Sequence, residues 1–164
     1  MQRVGEYRKP ASISEATAFL AEIKGCKLLA GGTDLVIQLN EWALEPSCLI
    51  DLSAIPQLAD IEVTDQGVWI GSMVTFSRIA RHEAIRQSWT ALAEAAGSVA
   101  APQVRNKATI GGNVANGAVA ADSVPALMAL GATAKLVSQK GERQVPVADL
   151  MLDLNKTDIK EDEL

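Results

Sequence analysis

The sequence contains few of the residues that perform chemistry themselves. Its 164 residues include two cysteines, one histidine and six aromatic side chains (three Trp, two Phe and one Tyr). Cys26, Cys48 and His82 together are one ligand short of the four that a Cys/His iron–sulfur or structural zinc site uses. We therefore expect no metal site in this chain, and we expect both cysteines to fill apolar space in the core.

Basic clusters and long apolar runs are also scarce. Lys and Arg number 15 against 20 Asp and Glu, which gives a net charge of −5. Nucleic acids and anionic membranes bind clustered Lys and Arg, so we expect neither as a partner. No segment approaches the roughly 20 apolar residues of a membrane helix. The N-terminus lacks the apolar segment of a signal peptide, so a cytoplasmic location is the expectation.

The first third of the sequence predicts alternating strands and helices. Short apolar runs are typical of buried strands, and a Ser/Glu capping box before apolar residues at helical spacing is typical of a helix. In chain order, the pattern predicts a helix from Ser12 to a stop at Gly25, a strand at residues 26–30, a helix capped by Thr33 from Asp34 to about Trp42, and a strand at Cys48–Leu52.

The rest of the sequence predicts hairpins interleaved with helices. The predicted elements are a hairpin at residues 61–70, helices at 75–82 and 88–97, a loop at 98–108, a helix at 122–130, a hairpin at 132–147 and a charged tail at 155–164. Together the two parts predict an α+β fold in two lobes, residues 1–54 and 55–164, with a boundary near residues 53–56.

A glycine pair, Gly31–Gly32, follows the second predicted strand. Glycine allows positive φ and close approach of a ligand to the main chain. With Thr33 opening a helix, the free N–H groups of residues 32–35 and the positive helix end would form a phosphate-sized site. The alternative is a strand-to-helix turn that needs glycine for its geometry alone.

A second pair, Gly111–Gly112, lies between Thr109 and Asn113, whose side chains can form hydrogen bonds. Small residues over positions 113–121 leave room for a ligand, although close packing of a tight turn explains them equally well. Two such turns could each hold half of a diphosphate-bridged dinucleotide. Neither pair forms the G-x-G-x-x-G motif of Rossmann folds or a P-loop motif. The sequence therefore gives no specific support for a Rossmann or a P-loop nucleotide site.

No residue stands out as catalytic. His82 has no evident Ser, Cys or carboxylate partner, so we expect it on a helix surface. Asp122 begins a predicted helix, where an N-cap is its simplest role. A chain this poor in acid–base groups fits a protein that holds a cofactor, which then performs the chemistry.

The two glycine segments resemble those of a known family. Leu28 to Leu35, followed by Ala108 to Asn113 and then Asp122, is similar to the FAD-binding domain of molybdenum hydroxylases such as xanthine dehydrogenase and carbon monoxide dehydrogenase. The resemblance extends over essentially the whole chain. It implies an α+β, two-lobed FAD-binding fold of the vanillyl-alcohol-oxidase/molybdopterin-dehydrogenase type. By the same resemblance, we expect the family's C-terminal domain to be absent.

The resemblance also implies which residues contact FAD. The first segment would wrap the diphosphate with backbone N–H groups, and the second would contact the cofactor from the other lobe. Because His82 lies outside both segments, we expect FAD to bind non-covalently. The implied cofactor-binding residues are Leu28, Leu29, Ala30, Gly31, Gly32, Thr33, Asp34, Leu35, Thr109, Ile110, Gly111, Gly112, Asn113, Asp122 and Leu164.

By the same resemblance, the chain would be the FAD-binding electron-transfer subunit of a molybdenum hydroxylase. Electrons would pass from [2Fe-2S] clusters through FAD to NAD or another acceptor. The molybdopterin and the [2Fe-2S] clusters are expected on partner subunits only. Two alternatives remain: a non-catalytic assembly module that keeps the fold, and a stand-alone flavoprotein oxidoreductase.

Overall fold

The structure is a computed structural model that describes residues 4–41, 44–118, 121–153 and 155–164. It mixes helices and strands, as an α+β fold requires. The strands are β1 (Glu6–Arg8), β2 (Cys26–Leu29), β3 (Cys48–Asp51), β4 (Ile61–Thr64), β5 (Gly67–Ile70), β6 (Thr133–Ser138), β7 (Gly141–Pro146), β8 (Met151–Asp153) and β9 (Lys156–Thr157). The helices are α1 (Ile13–Glu22), α2 (Leu35–Asn40), α3 (Phe76–Arg81), α4 (Glu83–Ser88), α5 (Thr90–Ser98), α6 (Pro102–Arg105), α7 (Ile110–Asn116), α8 (Ser123–Ala129) and α9 (Val147–Leu150).

A three-stranded parallel sheet organises the N-terminal part, with β3 between β1 and β2. All four residues of β3 are buried, as the apolar run Cys48–Ile50 predicts for a central parallel strand. Leu29 at the end of β2 lies in register with Asp51 at the end of β3. Both strands therefore end at the same edge of the sheet, and the first glycine pair follows directly.

The capping box that predicts α1 is confirmed, but the helix ends before Gly25. The Ser12 hydroxyl accepts a hydrogen bond from the Glu15 amide at 3.2 Å, and the Glu15 carboxylate accepts one from the Ala11 amide at 2.8 Å. Ile23 is already extended, and Gly25 takes a φ of +75° in the turn that leads to β2. Gly25 therefore lies in the turn, two residues beyond the C-cap Ile23, and does not itself end the helix.

Hydrophobic residues form two clusters. The first gathers α1, β3 and the residues just after it, around Ala16, Cys48 and Ile50. The second contains the buried residues between Val74 and Leu150. Met73 and Leu164 come from the later part of the chain yet pack against the first cluster, so the two clusters are bridged. The lobe boundary near residues 53–56 stays a prediction.

Both cysteines contribute to the first cluster. Cys48 is buried, and the half-buried Cys26 packs against that cluster. Burial, and then the neighbouring Cys48, raise the pKa of Cys26 to about 11, so its thiol is protonated at neutral pH. A protonated thiol is neither a nucleophile nor a metal ligand, which agrees with a packing role.

The second part confirms both hairpins and corrects two other predictions. The helix predicted at residues 75–82 ends at Arg81, and α4 follows where none is predicted. The predicted loop at 98–108 contains α6, because Pro102 occupies the first helical turn, where its missing N–H costs no hydrogen bond. The predicted end of the second helix near Trp42 lies outside the described residues.

The C-terminal tail is bound to the last hairpin. Leu164 and Val137 exchange backbone hydrogen bonds of 2.8 and 2.9 Å, so the final residue pairs with β6. Arg143 on β7 donates to the carboxylates of Glu163 and Asp158, each at 2.7 Å. The sequence predicted only that the tail is charged. In the structure, the ion pairs of Glu163 and Asp158 with Arg143 hold the tail against the hairpin.

These ion pairs predict an acid-sensitive tail. Arg143 lowers the pKa of Glu163, while Lys160 and then Arg143 lower the pKa of Asp158. Because both folded-state values lie below the ordinary 4.5 and 3.8, the ionised carboxylates favour folding above those values. That contribution is lost as the pH falls below about 4.5 through the lowered pKa values.

We expect Arg143→Met to lower the urea midpoint of unfolding at pH 7 and to flatten its dependence on pH between 5 and 3. Lys135→Met is the control, because it breaks one ion pair of the same hairpin, Lys135 with Glu142 at 2.5 Å. Single exposed ion pairs contribute little to stability, so its midpoint should barely move. Equal pH profiles for wild type and Arg143→Met would show that the tail carboxylates do not depend on the arginine.

Candidate functional site

A groove of about 430 Å³ opens where β2 and β3 end. Carboxyl ends of parallel strands are common ligand sites, because the loops that follow them converge there. The groove is lined by the end of β2 and the first glycine pair, the end of β3, and residues from two later loops. The lining residues are Leu29, Ala30, Gly31, Gly32, Val36, Asp51, Ser53, Met73, Thr75, Asn106, Lys107 and Thr109.

Backbone pairing between residues 72–76 and 108–111 builds one wall of the groove. The amide of Phe76 donates to the carbonyl of Ala108 at 3.1 Å, and the amide of Ile110 donates to the carbonyl of Val74 at 3.0 Å. The side chains at these four positions are buried in the second cluster. Thr75 and Thr109, which alternate with them, face the groove.

The two glycine segments contact each other. A Cβ on Gly31 would overlap the carbonyl oxygen of Lys107 and lie 3.0 Å from the Cα of Ala108. A Cβ on Gly112 would lie 3.5 Å from the Cβ of Ala30. Sequence alone left open whether the two pairs lie near each other; the fold brings them together across one groove.

The first segment offers unpaired backbone N–H groups. Gly32 has a φ of +74°, and its carbonyl accepts from the Val36 amide at 3.0 Å. Within the described part of the chain, the amides of residues 31–34 donate no hydrogen bond. Asp34, and not Thr33, is the residue that precedes α2, so the predicted Thr33 cap is wrong. The four amides remain available to an acceptor in the groove.

The second segment does not offer such groups. Thr109 is the N-cap of α7: its hydroxyl accepts from the Gly112 amide at 3.2 Å, and its carbonyl accepts from the Asn113 amide at 3.0 Å. The Gly111 amide donates to the Ser72 carbonyl at 2.9 Å. The segment begins a helix and is not a tight turn, so free amides at Gly111–Gly112 are ruled out as its binding chemistry. Its contact with a cofactor stays a prediction.

The structure separates the residues implied by resemblance into three groups. Those that line the groove are Leu29, Ala30, Gly31, Gly32 and Thr109. Those that do not line it but belong to the same two segments are Leu28, Thr33, Asp34, Leu35, Ile110, Gly111, Gly112 and Asn113. The remaining two, Asp122 and Leu164, do not line it; Leu164 packs against the first hydrophobic cluster.

Asp122 occupies the N-cap position of α8, as predicted, but its side chain makes no capping hydrogen bond there. It is exposed and follows the small-residue segment, of which residues 119 and 120 lie outside the described ranges. Its neighbour Ser123 is buried and donates to the Asn113 side-chain carbonyl at 2.6 Å. That hydrogen bond connects the start of α8 to the second glycine segment.

Sequence reasoning missed the polar residues that the fold adds to the groove. Asp51 ends β3 and Ser53 lies two residues after it, Thr75 follows Met73, and Asn106 and Lys107 precede the second glycine segment. The position of Asp51 directly after an apolar strand was a usable signal, because polar residues at the carboxyl ends of parallel strands meet at ligand sites. Lys107 supplies the only cation among the groove's lining residues.

Asp51 is the one acid among those lining residues. Its carboxylate accepts hydrogen bonds from the Tyr7 hydroxyl and, at 2.9 Å, from the Ser53 amide; Lys9 lies 3.6 Å away. Burial alone would raise its pKa, but Tyr7, Ser53 and Lys9 together bring that pKa below its ordinary value. Asp51 is therefore ionised at neutral pH.

These groups fit a nucleotide that carries a diphosphate. Free amides beside a glycine turn, the Thr75 hydroxyl and the Lys107 ammonium are donors of the kind that bind phosphate oxygens. His82 lines a separate hollow with Arg78 and Arg81. Among residues that the structure describes, no three His, Cys, Asp or Glu side chains form a metal cluster, and no helix is long and apolar enough to span a bilayer.

The chain is similar in sequence to FAD-binding domains and subunits of known dehydrogenases. Residues 2–164 match the family described as FAD binding domain in molybdopterin dehydrogenase. The nicotinate dehydrogenase FAD-subunit of Eubacterium barkeri is 39% identical over 88% of this chain and 49% of its own. The xanthine dehydrogenase FAD-binding subunit of Escherichia coli O157:H7 is 35% identical over 96% of this chain and 54% of its own.

A solved structure shows the same fold. Carbon monoxide dehydrogenase from Hydrogenophaga pseudoflava superimposes with a TM-score of 0.96 at 34% identity, over all of this chain and 57% of that one. The chain thus spans about half the length of the curated relatives it matches.

Proposed function

The chain belongs to the family of FAD-binding domains found in molybdopterin dehydrogenases, and we propose that it binds FAD non-covalently in the groove, as the flavin part of an electron-transfer subunit. The observation that carries the proposal is the row of free amides at residues 31–34, of which Gly31 and Gly32 line the groove together with Lys107. Amides and an ammonium group together form a site for a diphosphate.

The residues of this chain hold the cofactor and keep it in place. The Gly31–Gly32 backbone and Lys107 would bind the diphosphate, while Leu29, Val36 and Met73 supply apolar surface for the rest of the nucleotide. A bound FAD supplies the ability to exchange electrons singly or in pairs. No residue in the groove needs to act as an acid or base for that exchange.

The names of the relatives support a wider proposal about the complex. The relatives from Eubacterium and Escherichia are named as FAD subunits of dehydrogenases. We infer that molybdopterin and [2Fe-2S] clusters are carried by partner subunits, that electrons reach FAD from those clusters, and that NAD or another acceptor takes them. A cytoplasmic location goes with this proposal.

Titration of the apoprotein with FAD and with FMN tests the proposal. We expect one FAD per chain, and FMN binding at least about 10-fold weaker, because FMN lacks the second phosphate and the adenosine. Trichloroacetic acid should release all of the flavin, as non-covalent binding requires. A chain that binds neither flavin would support the alternative of an assembly module.

A further inference from the structure

Asp51 is a buried, ionised side chain in the groove that the binding of a diphosphate does not explain. Only 8% of its surface is exposed. A carboxylate repels phosphate, so the part of a ligand that lies against Asp51 should carry a hydrogen-bond donor and not a phosphate. The hydroxyls of a sugar are such donors.

The carboxylate still has room for another hydrogen bond. A carboxylate has about four acceptor positions. Its Oδ2 accepts from the Tyr7 hydroxyl and faces Lys9 at 3.6 Å, and its Oδ1 accepts from the Ser53 amide at 2.9 Å. Oδ1 therefore keeps acceptor capacity, and Asp51 lines the groove where that capacity is usable.

FAD has several parts that carry hydroxyls, and the position of Asp51 indicates that it faces the adenosine ribose. In β–α–β units that bind a dinucleotide diphosphate after the first strand, an acidic residue about 20 positions later, near the end of the next strand, accepts the adenosine ribose hydroxyls. Here the glycine pair follows β2, and Asp51 ends the adjacent β3, 19 residues beyond Gly32. This chain lacks the G-x-G-x-x-G sequence, so the shared feature is only the placement of turn and acid.

We propose that Asp51 binds the 2′- and 3′-hydroxyls of the adenosine ribose of FAD and thereby distinguishes FAD from nucleotides that lack those hydroxyls. This inference rests on the proposed binding of FAD. It also orients the cofactor, with its adenosine end at the carboxyl ends of β2 and β3. Tyr7 and Lys9 act as positioning residues, because they hold the carboxylate without lining the groove themselves.

The test compares FAD with an analogue whose adenosine ribose lacks both hydroxyls, in titrations of the apoprotein followed by flavin fluorescence. We expect the wild-type chain to bind FAD about 10-fold or more tightly than the analogue, as loss of a hydrogen bond to a charged group predicts. Asp51→Asn should bring the two dissociation constants to within a factor of about two. Tyr7→Phe should lower the discrimination less than Asp51→Asn does, because it removes a residue that positions the carboxylate but keeps the carboxylate itself.

The outcomes separate this inference from the proposed function. Failure of the wild-type chain to bind FAD overturns both. Equal binding of FAD and the analogue by the wild-type chain overturns the role of Asp51 alone. Equal weakening of the binding of both ligands by Asp51→Asn also overturns that role, because it shows that Asp51 supports the structure and does not contact the ribose hydroxyls. Should Asp51→Asn fail to fold, Asp51→Glu decides, because it keeps the charge but displaces the carboxylate, so discrimination should fall.

Discussion

Gly31→Ala is expected to destabilise the whole fold by about 3 kcal/mol or more, because the added methyl group has no space. It would overlap the carbonyl oxygen of Lys107 and lie 2.7 Å from the carbonyl carbon. Both neighbours are backbone atoms, so no side-chain rotation relieves the clash. The two glycine segments would have to move apart, and the groove between them would open. Urea unfolding followed by circular dichroism measures the loss.

Gly97→Ala is the matched control for this change. Gly97 lies within α5, and a Cβ there would meet nothing within 4 Å. Alanine favours a helix over glycine by roughly 0.5–1 kcal/mol, so this variant should be slightly more stable than the wild type. Equal stability of the Gly31→Ala and wild-type chains would show that the two segments are not in backbone contact.

Gly32→Val is expected to weaken FAD binding by about 100-fold, the loss of one or two charge-assisted hydrogen bonds, while the chain remains folded. The new side chain would lie in the groove next to the free amides and would meet Leu29 and Val36 side-chain atoms at 3.2 Å. Those side chains can move, unlike the backbone beside Gly31. The positive φ of 74° adds a strain of about 1–2 kcal/mol.

Gly131→Val separates the effect on binding from the effect of strain. Gly131 has a φ of +65° and open space around it, and it does not line the groove. This variant should lose a similar amount of stability and keep the wild-type dissociation constant for FAD. Wild-type affinity in Gly32→Val would mean that the first glycine pair serves the turn alone.

Gly111→Val is expected to lower the stability of the fold more than Gly32→Val does, although both glycines belong to similar glycine pairs in the sequence. From the sequence, both changes are predicted to block FAD and to spare the fold. The structure places Gly111 against Ser72, where a Cβ would lie 2.8 Å from the backbone oxygen. Substitution at Gly111 should therefore destabilise the fold, which makes it unsuitable as a probe of binding.

Local sequence patterns predicted most of the strands and hairpins correctly. The apolar run at Cys48–Ile50 predicts a buried strand because a central parallel strand is covered on both faces. The hairpin between Ile61 and Ile70 depends on alternation around a short turn, which is also local. The sequence patterns did not predict helix α4 or the short strands β8 and β9, because these elements depend on packing and on pairing with other segments.

The candidate site was predictable only in part. The glycine pairs and Thr109 were visible as motifs, since a residue able to adopt unusual backbone geometry is recognisable by its type. The sequence did not show that the amides of the first glycine pair are free while those of the second pair are hydrogen-bonded. Whether an amide is free depends on which distant carbonyl lies within reach, and for Gly111 that carbonyl belongs to Ser72, 39 residues earlier.

The amino-acid sequence alone determined the strand–glycine–helix–strand unit and the family. Each of these depends on residue types and on spacing along the chain. Tertiary structure alone decided that Gly31 packs on the Lys107 backbone, that only the first pair keeps its amides free, and that Asp51 lines the same groove. Those facts depend on pairings between segments far apart in the chain, where burial and hydrogen bonding are settled only when the whole fold forms.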